Sequence, residues 1–156
     1  MVLATYADGT SSSYQYDADS NIISSTDQNG SQFSYVYDGL NRLVDKQATQ
    51  LAAGVIGSTQ WTHTYDGLSR RVRSTDNNDP AVNTDDSVVE YRYNSLSQIV
   101  AERNNDSGTT RVVTALYDGE NNRRRLVYPD SRQIDYSYDD INKLKSIGEN
   151  GARNLR

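Results

Sequence analysis

Cysteine is absent from the 156 residues, and histidine, tryptophan, phenylalanine and methionine each occur once. Without cysteine there is no disulfide framework, no thiol nucleophile and no zinc-finger spacing. A single histidine, His63, leaves no multi-histidine metal centre and no Ser-His-Asp arrangement with a spare. No apolar run approaches the roughly 18 residues of a membrane-spanning helix. The start, Met1-Val2-Leu3-Ala4-Thr5-Tyr6, has neither the basic opening nor the apolar stretch of a signal peptide, so the leader of any secreted parent is expected to be missing here. Positive charge is also short: a net charge of -5 and a pI near 4.8 disfavour nucleic acid, whose phosphates need a basic face.

Large aliphatic side chains are scarce. Leu, Ile, Val and Phe make up 30 of the 156 residues, close to the ~20% below which a highly charged chain is disordered. Charge is not high here, and 12 tyrosines return large surfaces suited to a pleated sheet. Helix is disfavoured as well. Asp outnumbers Glu 17 to 4, and 18 Ser and 14 Asn favour caps and turns over helix interiors.

What the chain does have is one phrase written six times: Tyr14-Gln15-Tyr16-Asp17, Tyr35-Val36-Tyr37-Asp38, His63-Thr64-Tyr65-Asp66, Tyr91-Arg92-Tyr93-Asn94, Ala115-Leu116-Tyr117-Asp118 and Tyr136-Ser137-Tyr138-Asp139. Its Asp/Asn position recurs at spacings of 21, 28, 28, 24 and 21 residues. The carboxylate or amide of Asp17, Asp38, Asp66, Asn94, Asp118 and Asp139 suits position i of a type I turn, where it accepts from backbone N-H two residues on. Three residues later come Ser20, Asn41, Ser69, Ser97, Asn121 and Asn142, at the left-handed position of a G1-type bulge. A second turn signal, Asp8-Gly9, Asn29-Gly30 or Asp130-Ser131, precedes its Tyr-Asp pair by eight residues.

Two turns per unit leave two strands of about seven residues. The expected fold is therefore all-β: residues 1–156 as a single array, an antiparallel meander of about six hairpins and about twelve strands. A lone hairpin is marginal in water, so the units must pair edge to edge, and so long a sheet is expected to curve and to offer two open edges. Alternation puts Tyr14 with Tyr16, Tyr35 with Tyr37, Tyr91 with Tyr93 and Tyr136 with Tyr138 on one face; with Tyr65 and Tyr117 they form a Tyr ladder, either a packing seam or a face for sugar rings. The longer units carry their extra residues at Gln47 to Ser58, Asp76 to Asp86 and Asn104 to Gly108, expected as loops on one rim.

The best-preserved phrase, Tyr35-Val36-Tyr37-Asp38-Gly39-Leu40-Asn41-Arg42-Leu43, with Tyr128-Pro129-Asp130, resembles the YD repeats of RHS (rearrangement hotspot) proteins from about Tyr6 to Ile147. The fourth and fifth units depart furthest: Asn94 replaces Asp, Gln98 and Asn122 replace Arg, and Ala115 replaces Tyr. The resemblance implies β-hairpin repeats spiralling into the wall of a hollow shell. In relatives such as RHS toxins, toxin-complex subunits and teneurins, that shell encloses a cargo or presents an adhesion surface. It also implies a secreted or cell-surface setting. Six units suit a wall segment or open arc rather than a closed cage, and the ending 147–156 reads as that of a fragment. The family's self-cleaving region is not carried over, because the single Asp79-Pro80 pair lies between repeats.

No unique catalytic cluster emerges. The turn carboxylates recur once per unit, which suits turn formers rather than the single acid and base pair of a glycosidase. His63 occupies the first Tyr position of the third unit and reads as structural. Asp76-Asn77-Asn78-Asp79 with Asp85-Asp86 offers oxygens to calcium but lacks the glycine and closing glutamate of an EF-hand loop, so a solvated loop is the plainer reading. In Arg123-Arg124-Arg125, alternation sets Arg124 opposite its neighbours, so no single basic patch forms. Gly54-Val55-Ile56-Gly57 lacks the spacing of a phosphate loop.

The expectation is a non-enzymatic structural protein without cofactor or metal. Its sheet edges pair with further repeats or other copies into a shell, tube or filament, with a cargo polypeptide or glycans as further partners. The alternative is a glycan- or receptor-binding adhesion module at the cell surface.

Overall fold

The computed structural model describes residues 1–78, 82, 86–150 and 152–154, the last three by backbone alone. There is no helix among them. The strands are β1 (Val2–Thr5), β2 (Ser11–Tyr16), β3 (Ile22–Thr26), β4 (Gln32–Tyr37), β5 (Leu43–Gln50), β6 (Gln60–Tyr65) and β7 (Arg71–Asn77). They continue as β8 (Ser87–Tyr93), β9 (Ile99–Asp106), β10 (Thr109–Tyr117), β11 (Arg123–Val127), β12 (Gln133–Tyr138), β13 (Leu144–Glu149) and β14 (Ala152–Asn154). Strand order in the sheet equals chain order, β1 to β14, as a meander of hairpins demands. Among the described residues, fourteen strands stand where about twelve were expected. The surplus arises because the turn at Asp8-Gly9 needs β1 before the first unit and the turn at Asn150 closes β14 after the last.

The chain forms two compact units, Met1–Val88 with Asp106–Gly108, and Val89–Asn105 with Thr109–Arg156.

Both families of turn share one geometry. At the Tyr-Asp turns, the Asp38 N-H donates to the Arg42 carbonyl (3.0 Å) and the Asn41 N-H donates back to Asp38 (3.0 Å). At the other rim, Asp27 N-H donates to Ser31 (2.9 Å) and Gly30 N-H back to Asp27 (3.0 Å). The residue before the last must take positive φ, and it does so at Gly30 (89°) and at Ser131 (67°) in the turn that opens Tyr128-Pro129. Pro129 at the first central position pre-sets the φ that a type I turn requires. Between β9 and β10 the device changes: Ser107 and Gly108 are both at positive φ (48° and 82°), the combination of a two-residue type I′ turn.

Five of the Tyr-Asp hairpins carry a bulge after the turn. In the second, Val36 pairs with Asp45 and Tyr37 with Leu43, leaving Val44 unpaired. The same shift leaves Ile23, Val72, Arg124 and Lys145 unpaired in the first, third, fifth and sixth. The bulge corrects the alternation expected at Arg123-Arg124-Arg125. Arg123 pairs with Tyr117 and Arg125 with Leu116, so Arg123 and Arg125 go to opposite faces.

The segments expected as loops partly lengthen strands instead. Gln47–Gln50 belongs to β5, Asp76 and Asn77 to β7, and Asn104–Asp106 to β9, because cross-strand hydrogen bonding continues as long as partners are in register. Asp79, Pro80 and Asp85 lie outside the described residues.

The sheet has almost no buried core. Among the described residues, Ala115 (7% exposed), Ser12 (5%), Ser31 (2%) and Gly148 are buried. Ser31 Oγ accepts from the Ala52 N-H (3.1 Å), tying the 50s segment to the hairpin before it. One face of the first unit is aromatic, with Tyr14 opposite Val2 and Ser25, Phe33 opposite Ala48, and Lys46 between Tyr35 and Trp61. The other face carries Ser34 opposite Gln47, then Asp45, Thr62 and Thr75 in a row. In the second unit, Ala115 faces Leu126, Leu126 faces Ile134, and Tyr136 faces Ile147. On the far side Arg125 Nε donates to Asp135 Oδ1 at 2.6 Å.

Candidate functional site

The most regular feature is the rim of Tyr-Asp turns. In every turn one side-chain oxygen accepts two backbone N-H groups, two and four residues ahead. Asp17 takes Asp19 and Asn21 (2.9 and 2.8 Å), Asp38 takes Leu40 and Arg42 (2.9 and 3.1 Å), and Asp66 takes Leu68 and Arg70 (2.9 and 3.0 Å). Asn94 takes Leu96 and Gln98 (both 3.0 Å), Asp118 takes Glu120 and Asn122 (3.1 and 2.8 Å), and Asp139 takes Ile141 and Lys143 (3.0 and 2.9 Å). Only an oxygen acceptor is needed for this, which is why Asn94 serves as well as Asp. The residue between sits at positive φ throughout: Ser20 69°, Asn41 58°, Ser69 61°, Ser97 62°, Asn121 70° and Asn142 62°.

The second carboxylate oxygen is used differently. Asp38 Oδ2 accepts a fork from Arg42, Nε at 2.7 Å and the terminal nitrogen at 2.6 Å, and Asp66 accepts the like from Arg70 at 2.7 Å. The hydrogen bond from that guanidinium, ahead of the two backbone donors, holds each carboxyl below its ordinary range. In the first turn Asn21 does the same for Asp17 through its side-chain amide at 3.0 Å.

The residue four after the Asp also reaches sideways, and the sequence reading missed this. Asn21 donates to Asn41 of the next turn (3.1 Å), and Arg42 to Ser69 Oγ (3.1 Å) while its guanidinium lies 4.7 Å over the Tyr65 ring. Gln98 donates to the Asn121 carbonyl (3.2 Å) and Asn122 to Asn142 (2.9 Å). The acceptor is the positive-φ residue of the following turn or its carbonyl. The available signal was that this position, Asn21, Arg42, Arg70, Gln98, Asn122 and Lys143, always carries a nitrogen donor.

The tyrosines divide by their place in the phrase. The second one reaches back to the preceding hairpin: Tyr65 donates to the Leu43 carbonyl (2.9 Å), Tyr117 to Ile99 (3.2 Å) and Tyr138 to Arg123 (3.0 Å). The physical cause is where the ladders stop. Between hairpins, β5 and β6 pair only from Asp45 to Gln47, and β11 and β12 only from Arg125 to Val127. The carbonyls of Leu43 and Arg123 lie beyond the last pair, and the phenol supplies their donor. Tyr37 is buried enough for desolvation to push its hydroxyl pKa up, and Tyr16, at 42% exposed, is the more open.

The first tyrosines make contacts of another kind. Tyr35 Oη shares a hydrogen bond with Ser25 (2.9 Å), Tyr91 lies 6.4 Å from Tyr93, and Tyr136 stacks under Arg123 at 4.9 Å. Tyr14 stands between Val2 and Ser25. Lys46 Nζ sits 4.4 Å from both the Phe33 and Trp61 ring centres, an internal cation filling the space among these rings. His63 bonds Ser74 through Nδ1 at 3.0 Å, and burial, then Arg71, lowers its pKa.

Among the described residues, no group of three or more His, Asp or Glu side chains is placed to hold a metal ion. No helix there is long and apolar enough to cross a membrane.

Residues 16–56 match the family described as RHS Repeat. No curated protein matches the chain. Among solved structures, the chain is similar to one of the Photorhabdus luminescens Tc holotoxin pore carrying a TccC3 variant, with TM-score 0.70 and 18% identity over 91% of this chain. It is also similar to the TcdB2-TccC3-Cdc42 structure (TM-score 0.70, 16% identity, 88% of this chain) and to TcdB2-TccC3 (TM-score 0.68, 18% identity, 88%). The chain spans about 7% of the length of each of these. At such identity the likeness is one of fold, the all-β repeat.

Proposed function

We propose, from the premise of a chain that carries RHS repeats, that it is a non-enzymatic wall segment: one array of YD hairpins whose sheet joins further repeats or other copies into a shell, tube or filament, in a secreted or cell-surface setting. The observation that carries this is the missing core. Among the described residues, a sheet of fourteen strands has Ala115 as its one buried apolar residue. Its stability comes from cross-strand pairs and from the turn-to-turn and Tyr-to-carbonyl bonds, all of which grow with every hairpin added. β1 and β14 each have one neighbour, and such edges are templates for pairing.

The turn carboxylates support the non-enzymatic reading. Each is engaged by its own turn's backbone, which leaves them as parts of the frame rather than as a paired acid and base. The similarity to TccC3-containing structures supports a wall in a larger assembly.

Light scattering on a sizing column, with electron microscopy of the same peak, tests the proposal. Rings, tubes or filaments, lost when a proline is placed in β1 at Leu3, are expected. A monomer at every concentration, with glycan-array binding that depends on Tyr35 or Tyr91, would overturn it in favour of an adhesion module.

A further inference from the structure

Two Asn-Gly pairs occur in the chain, Asn29-Gly30 and Asn150-Gly151. Such a pair sets a side-chain amide beside a peptide nitrogen that no following side chain shields. The fold holds the two asparagines differently. Asn29 is exposed at the tip of the turn between β3 and β4, and its side chain makes no hydrogen bond among the described residues. Gly30 holds φ at 89°, with open space where a Cβ would stand. Asn150 is tied to the neighbouring strand: its N-H donates to the Gln133 carbonyl (2.8 Å) and its Oδ1 accepts from the Gln133 N-H (2.9 Å).

The turn around Asn29 also anchors something else. Asp27 N-H donates to the Ser31 carbonyl, and Asp27 Oδ1 accepts from the Asn29 and Ser31 N-H groups, all at 2.9 Å. Ser31, so held, is 2% exposed, and its Oγ accepts the Ala52 N-H at 3.1 Å.

We infer that Asn29-Gly30 is a site of spontaneous backbone modification, at which the chain converts Asn29 to isoaspartate and thereby releases the tie between Ser31 and Ala52. The reaction needs only water. The Gly30 nitrogen loses its proton to hydroxide and bonds to Asn29 Cγ; the Cγ–Nδ2 bond breaks, and Nδ2 leaves as ammonia with a proton from water. The product is a five-membered imide. Water then adds at Cγ, restoring the ordinary backbone with aspartate, or at the backbone carbonyl carbon, leaving the Gly30 nitrogen bonded to Cγ as isoaspartate. Either way the Gly30 nitrogen regains a proton, and one water is consumed for one ammonia released. Attack within one dipeptide replaces a bimolecular encounter. The Gly30 N-H must first leave the Asp27 carbonyl, 3.0 Å away, which is a local opening of an exposed turn tip.

Isoaspartate adds one backbone atom between residue 29 and Gly30. A closure built on ordinary spacing between Asp27 and Ser31 then cannot keep both of their mutual hydrogen bonds, so Ser31 shifts and the Ala52 N-H loses its acceptor. The segment beyond, with Ile56 at 94% exposure, is freed from this hairpin. Aspartate at the same place adds the same charge but keeps the spacing, and leaves the tie intact. The device lies within the first unit and does not depend on the wall reading.

The test incubates the full chain in neutral and in mildly alkaline buffer, with a parallel sample in urea, and follows both Asn-Gly pairs by peptide mapping with an isoaspartate-specific methyltransferase assay. Conversion at Asn29 is expected to be about two- to tenfold slower in the folded chain than in urea, the effect of one hydrogen bond that must open. Conversion at Asn150 in the folded chain is expected to be slower again by a like factor, and the Asn29 rate to rise with pH because the attacking nitrogen must lose its proton. The isoaspartate fraction, separated by ion exchange, is expected to lose slow hydrogen exchange at the Ala52 N-H. Asn29→Asp is expected to keep that protection, and Asn29→Gln, whose longer side chain disfavours the five-membered ring, to abolish the conversion. Equal conversion of Asn29 and Asn150 in the folded chain, or none at Asn29, would overturn the site. Undiminished protection of Ala52 in the isoaspartate fraction, or its loss in Asn29→Asp, would overturn the release.

Discussion

Replacing Tyr65 by phenylalanine removes one oxygen and leaves the ring under the Arg42 guanidinium, 4.7 Å away. What is lost is the hydrogen bond to the Leu43 carbonyl, 2.9 Å long. A neutral hydrogen bond contributes about 0.5–1.5 kcal/mol net, and the full penalty of an orphaned carbonyl is escaped where water can reach it. Tyr65 is only half-buried, so the lower part of that range, about 0.5–1 kcal/mol, is expected. At roughly 2–4 °C per kcal/mol for a chain of this size, Tm falls by about 1–4 °C. Tyr138→Phe removes the equivalent bond to Arg123 in the other unit, and with no shared partners the two losses are expected to add to about 1–2 kcal/mol. Urea titration followed by Trp61 fluorescence and by far-UV circular dichroism measures both. Tyr16→Phe, at an exposed hydroxyl, is the control and is expected within about 0.5 kcal/mol of the parent. If Tyr65→Phe costs no more than Tyr16→Phe, the stitching of one hairpin to the next by the second tyrosine is refuted.

Ser20 holds φ at 69°, a conformation that costs a side chain bearing Cβ about 1 kcal/mol or more, so Ser20→Gly is expected to raise stability by about 0.5 kcal/mol and Ser20→Val to lower it by about 1 kcal/mol; equilibrium urea midpoints check both signs. Stability is also expected to depend on pH in two windows. His63 has its pKa lowered on folding, so below the ordinary 6.5 the unfolded chain takes up the proton first and stability falls as pH drops, an effect that His63→Tyr should abolish. Asp38 and Asp66 are held below the ordinary 3.8, so their contribution is complete above that value and is lost as pH falls through and beneath it; Arg42→Gln with Arg70→Gln should flatten this acid limb in a thermal-melt series.

Which features could be read from the chain follows from how local they are. The hairpin is closed within five residues, from Asp38 to Arg42, and a carboxylate, a residue tolerant of positive φ and two exposed central positions are all visible in that window. The meander follows, because short connections leave consecutive strands adjacent. The bulge is less visible: Val44 and Arg124 look like ordinary alternating positions, and their displacement follows from closing the turn in register with the other strand. The sideways reach of Arg42 to Ser69 and of Tyr65 to Leu43 spans 27 and 22 residues, distances over which repetition hints at proximity but names no atom.

The sequence by itself therefore determined the unit: a five-residue turn, two strands and an aromatic position on a fixed face, because each depends on hydrogen bonds and side-chain alternation within a few residues. Only the tertiary structure decided what joins the units. The ladders between β5 and β6 and between β11 and β12 stop short of the turns, so donors on the next hairpin complete the carbonyls they expose. That is a consequence of register and packing between hairpins, where the partner is set by three-dimensional neighbours rather than by chain order.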